Sequence, residues 1–89
     1  MEINLKNVIL EWLHSDCMSK LVHVYIYKHD RIDAYLKDTK IVVMMFIYHN
    51  VVHCDRFDMS DGHTIEANTF KASDPKFFEK LERHIKYVD

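Results

Sequence analysis

The unbroken apolar run Ile41–Tyr48, IVVMMFIY, constrains this chain more than any other stretch. A strand with one wet face alternates apolar and polar residues, whereas a run without alternation wants cover on both faces. Here the two alternating sets are Ile41, Val43, Met45, Ile47 and Val42, Met44, Phe46, Tyr48. The run therefore reads as the central strand of a small sheet, and the rest of the chain must supply its neighbours and its cover.

Neighbouring strands are readable on both sides. Residues 21–28, LVHVYIYK, alternate Val22, Val24, Ile26 against Leu21, His23, Tyr25, Tyr27 and are rich in β-branched and aromatic side chains. His29-Asp30 suits a turn, and residues 31–36 alternate again, with one or two helical turns as the competing reading. Lys37-Asp38-Thr39 and His49-Asn50 are turn-like, and residues 51–57 return as a mixed strand. Asp58 to His63 is the clearest loop, with Asp61-Gly62 as its turn signal, and residues 64–70 suit an edge strand.

Helices are expected at both ends. Leu5, Val8, Ile9, Trp12 and Leu13 fall at helical spacing behind Asn4, a residue suited to capping, which predicts a helix over 4–15. Ser15 to Ser19 then reads as a fray or turn. Near the other end, Asp74 can cap and Pro75 suits the first helical position. Phe77, Phe78, Leu81, Ile85 and Val88 form the apolar stripe of a helix over 75–87. The expected fold is α+β in a single domain over 1–89. An N-terminal helix, an antiparallel sheet of four to five strands and a C-terminal helix follow one another, with both helices on one sheet face.

Size and charge narrow the function classes. At 89 residues the chain folds as one domain and buries only roughly 60–65% of its unfolded surface. A net charge of −2 is no footprint for nucleic acid. Seven histidines would reverse its sign in mildly acid solution. The two cysteines, Cys17 and Cys54, the lack of a basic n-region and the lack of a long apolar span predict a reduced, cytoplasmic protein with no membrane segment. Phe, Tyr, Met, Ile, Asn and Lys are favoured over Ala, Gly and Pro, a usage typical of AT-rich genomes. In composition and size alone the chain resembles the small accessory proteins of AT-rich tailed phages. That resemblance implies an inhibitor of a host or defence protein, working in the host cytoplasm.

Few residue constellations suggest chemistry. His49, His53 and Cys54 are ligand types for transition metals. In a strand, however, His49 and His53 lie ~13 Å apart and Cys54 faces away from His53. His23 or His63 would have to complete such a site. Cys54 with His23 and Asp55 could be imagined as a nucleophilic set, but Cys54 and His53 cannot form a dyad. With a single glycine there is no phosphate or dinucleotide loop. Tyr25, Tyr27, Tyr35 and Tyr48 could stack RNA bases, and the element order has a general likeness to the Alu-RNA-binding fold of the signal recognition particle. The acids Asp30, Asp33, Asp38 and Asp55 offset the surrounding Lys28, Arg31, Lys40 and Arg56.

The sequence therefore predicts a non-enzymatic protein-binding module with no cofactor and no metal. RNA binding through the sheet tyrosines is the first alternative, and a small His/Cys metal protein the second. Its interface residues are Tyr25, Tyr27, Met44, Phe46 and Tyr48, joined by Leu21 if it shares their face. The partner is a protein of unspecified identity, and a homodimer with Met44 and Phe46 near its centre is the economical way to cover the spare face.

Overall fold

The computed structural model describes residues 4–28 and 30–86. Its elements are α1 (Leu5–Leu13), α2 (Asp16–Ser19), β1 (Val22–Lys28), β2 (Arg31–Leu36), β3 (Ile41–Tyr48), β4 (Val51–Asp58), β5 (His63–Lys71) and α3 (Phe77–Lys86). The strands form one antiparallel sheet in the order β1-β2-β3-β4-β5. The architecture is the expected α+β one, with β3 central and five strands present. Residues 31–36 are a strand and not helical turns.

Each hairpin beyond the first turns through one residue of positive φ: Asp38 at 63°, His49 at 51° and Gly62 at 72°. Gly visits that region freely, and Asp and His are among the side chains enriched there. In the β2–β3 turn Thr39 Oγ1 donates to the Leu36 carbonyl at 2.9 Å and accepts from the Ile41 amide at 3.1 Å. In the β4–β5 turn the Ser60 hydroxyl and amide both donate to Asp58 Oδ1, which holds that carboxyl below its usual range.

Asn4 caps α1, accepting from the Asn7 amide at 3.2 Å. The expected fray after it is instead a short helix, α2, because Met18 turns inward and is fully buried. Asp74 does not cap the helix itself but closes the turn ahead of α3: Oδ1 accepts from the Lys76 amide, and Lys80 Nζ donates to Oδ2 at 2.6 Å. The helix proper begins two residues beyond Pro75, at Phe77. The expected roles of His29, Tyr87 and Val88 fall outside the described residues.

One buried cluster holds the molecule together. It joins Leu5, Ile9 and Leu13 of α1, Met18 of α2 and Phe77, Leu81 and Ile85 of α3 to Ile32, Ala34, Val43, Met45, Ile47, Val52 and Cys54 of the sheet. The register sets Ile32, Met45 and Cys54 directly opposite one another, and likewise Ala34 with Val43, and Ile47 with Val52. Opposed residues in antiparallel strands share a face, so these strand residues all lie on one side. Trp12 and Phe78 meet across α1 and α3 with ring centroids 5.2 Å apart. Leu21 is half-buried against the same cluster, which corrects its expected place among the exposed residues. None of the described helices is long and apolar enough to cross a membrane.

Candidate interaction face

The alternate residues of the same strands line the other side of the sheet, and the register arranges them in rows. One row runs Tyr25, Asp33, Met44, Asp55, Ala67, and the row beside it runs Arg31, Phe46, His53, Thr69. Two strand pairs of i,i+2 spacing thus straddle β3: Arg31 with Asp33 on β2, and His53 with Asp55 on β4. Phe46 and Met44 lie between them.

Both pairs are closed by hydrogen bonds. Arg31 Nε donates to Asp33 Oδ1 at 2.8 Å and Nη2 donates to Oδ2 at 3.1 Å. This fork raises the Arg31 pKa further above its already high ordinary value, although its burial opposes this. The guanidinium also lies 4.5 Å from the Tyr27 ring centroid and 5.3 Å from that of Phe46, with Nη2 3.3 Å from Met44 Sδ. Contacts of this kind hold a cation by the ring quadrupole as well as by its counter-ion. Asp33 is 3% exposed, and this fork supplies a hydrogen-bond partner to each of its carboxylate oxygens.

On β4, His53 Nε2 lies 2.9 Å from Asp55 Oδ1 and Nδ1 lies 3.0 Å from Thr69 Oγ1. A carboxylate only accepts, so the neutral imidazole carries its proton on Nε2 and Nδ1 accepts from the Thr69 hydroxyl. Hydroxyl, imidazole and carboxylate in sequence are the parts of an acyl-transfer nucleophile. Such chemistry also needs donors aimed at a developing oxyanion. Thr69 lies on a pleated strand surface, and the chain's only glycine, Gly62, is in the turn beyond the far end of β4.

Of the expected interface residues, Tyr25, Tyr27 and Tyr48 are exposed by 58%, 47% and 57%, while Met44 and Phe46 are half-buried around Arg31. Arg31, Asp33, His53 and Thr69 were not foreseen there. The i,i+2 spacing of opposite charges along a strand was the available signal for the first three. Thr69 needed the β4–β5 register.

The metal and nucleophile alternatives find their residues dispersed. His49 is in a turn, and His53 and Cys54 face opposite sides of β4. Burial, reinforced by the Asp55 charge, pushes the Cys54 thiol far above its ordinary pKa, the opposite of the shift that activates a thiol nucleophile. His23 is on β1, which β4 does not adjoin. Among the described residues there is no group of three or more His, Cys, Asp or Glu side chains placed to hold a metal ion.

A second polar group lies toward α3. Asn68 Nδ2 is 2.8 Å from Glu66 Oε1 and 3.3 Å from His84 Nδ1, and His84 meets Phe70 edge-on at 5.6 Å. Burial lowers the His84 pKa, and Arg56 adds to this while Glu66 opposes it.

No protein-family model, no curated protein and no solved structure matches this chain.

Proposed function

We propose that the protein is a non-enzymatic protein-binding module and that its working surface is the side of the sheet bearing Tyr25, Tyr27, Met44, Phe46 and Tyr48. In this reading α1 and α3 both cover the side of Val43 and Met45, and no element among the described residues covers the other. The observation that carries the proposal is the Arg31 clamp between Tyr27 and Phe46. An Arg already fixed by two rings and a carboxylate loses little freedom on binding, and Arg and Tyr are enriched among residues that dominate binding energy. The exposed tyrosines around it add apolar area with a polar tip. A partner suited to this surface offers apolar or aromatic side chains to the tyrosines and a cation to Asp55. The resemblance to phage accessory proteins suggests a host or defence protein in that role, and self-association as a homodimer belongs to the same proposal.

Affinity capture from a lysate tests it, with Tyr48→Asp on the surface and Glu79→Lys on the exposed side of α3 as the control. A protein retained by wild type and Glu79→Lys, and reduced at least about tenfold by Tyr48→Asp, is the expected result. Equal retention by both variants would move the site elsewhere. Capture abolished by nuclease would favour RNA on the same tyrosines.

A further inference from the structure

We infer that a second copy of the chain joins this protein at its β1 edge, extending the sheet, rather than face to face. The inference rests on the self-association included in the proposed function and changes where it occurs. β1 is an edge strand. Its residues Tyr25, Ile26 and Tyr27 are consecutive, large and apolar, and exposed by 58%, 53% and 47%. Ile26 pairs in register with Ile32 and so lies on the opposite side from Tyr25, which pairs with Asp33. Exposed apolar side chains on both sides of one edge are not covered by a sheet stacked on one face. They are covered by an added strand, whose own side chains alternate between the same two sides.

The strand is complementary to itself. A twofold axis normal to the sheet keeps both faces continuous and pairs residues of equal parity. Centred on Tyr25, it sets Tyr25 against the partner's Tyr25, Ile26 against the partner's Val24, and Tyr27 against the partner's His23. Every exposed apolar residue of β1 then gains an apolar or aromatic neighbour. No like charges oppose, because Lys28 is the only residue in the strand that carries a permanent charge. The bulge between Ile26 and Lys28 takes in Tyr27, so its pairing with the partner's His23 lies at the irregular end and the regular middle runs from Val24 to Ile26.

The two rival surfaces are worse suited. Stacking two faces about Met44 with strands aligned would bring the row Asp33, Met44, Asp55 onto its own image, carboxylate over carboxylate. The other edge, β5, exposes one large apolar residue, Ile65 at 40%, and that residue sits in the bulge between Glu66 and Thr64; its other exposed residues Thr64, Ala67 and Thr69 are small, and α3 lies against its Phe70. Pairing through β1 also sets the tyrosines of two copies side by side on one continuous surface.

Cysteine cross-linking decides between these modes. In a Cys17→Ser background, Tyr25→Cys places two thiols directly across the twofold axis, and mild oxidation should link most of the protein as a dimer. Thr69→Cys, on the far edge, should stay unlinked. Ile26→Asp should leave the circular dichroism unchanged and bring the light-scattering mass down to the 10.7 kDa of one chain. Linkage through Tyr48→Cys in place of Tyr25→Cys would overturn the edge mode in favour of stacked faces. A wild-type mass of one chain at micromolar concentration would overturn self-association, and capture of a foreign partner by wild type but not Tyr48→Asp would still stand.

Discussion

β3 presents four apolar side chains to each side of the sheet, and the middle two of each set, Val43 with Met45 and Met44 with Phe46, meet different surroundings. Val43 and Met45 are fully buried among residues of the helices. Met44 and Phe46, one step along, are half-buried beside Arg31, Asp33 and His53. Similar side chains on one strand thus serve as core on one side and as the apolar floor beneath paired charges on the other. Hydrophobicity alone does not assign a strand residue its role. Its cross-strand neighbours do, because they decide whether the space above it is filled by a helix or by ion pairs and water.

The sharpest test of this contrast is a pair of truncations. Met45→Ala should lose about 2–5 kcal/mol and Leu81→Ala a similar amount, since each empties a filled interior. Met44→Ala should lose only about 1 kcal/mol. Thermal denaturation compares them, and equal losses at Met44 and Met45 would erase the distinction. Next in size is Asp33→Ala, which leaves the half-buried Arg31 fork without its carboxylate. A loss of about 1–3 kcal/mol is expected. A double-mutant cycle with Arg31→Ala should return most of it as coupling.

A smaller effect comes from pH and concerns the buried side. Burial lowers the His84 pKa from the ordinary ~6.5 of an unfolded chain. Above that value both states are neutral there and His84 adds no pH dependence. As pH falls below ~6.5 the unfolded chain takes the proton first, so stability declines until the folded His84 also protonates. Wild type should lose more melting temperature between pH 7 and pH 5 than His84→Gln. Identical losses would show that His84 is not involved. The smallest effect should be His53→Ala, below about 1 kcal/mol, because its pair with Asp55 is open to solvent. A large loss there would mean that the Thr69–His53–Asp55 chain of bonds carries structural load.

Much of the fold was legible because its signals are periodic. Alternation in residues 31–36 identified β2, and the helical stripes identified α1 and α3. What resisted reading was either too short for a period or dependent on register. Four residues of α2 contain no repeat, so the burial of Met18 could not be anticipated. Leu21 belongs by parity with Tyr25 but lies just before the strand, where it folds back onto the core. The sequence alone points to the apolar members of the candidate face but not to its charged centre. Arg31 and His53 lie on strands that do not touch each other, and Phe46 between them brings them into one row only once both pairings are known.

The strand order also bears on how the molecule acquires its structure. Every strand pairs with its neighbour in sequence, so the sheet needs no long-range crossover and each hairpin closes a short loop. Hairpins form in roughly 1–10 μs, and chains dominated by local contacts fold faster than sandwiches or barrels of equal length. Refolding should therefore be rapid and limited by docking of the helices rather than by assembly of the sheet.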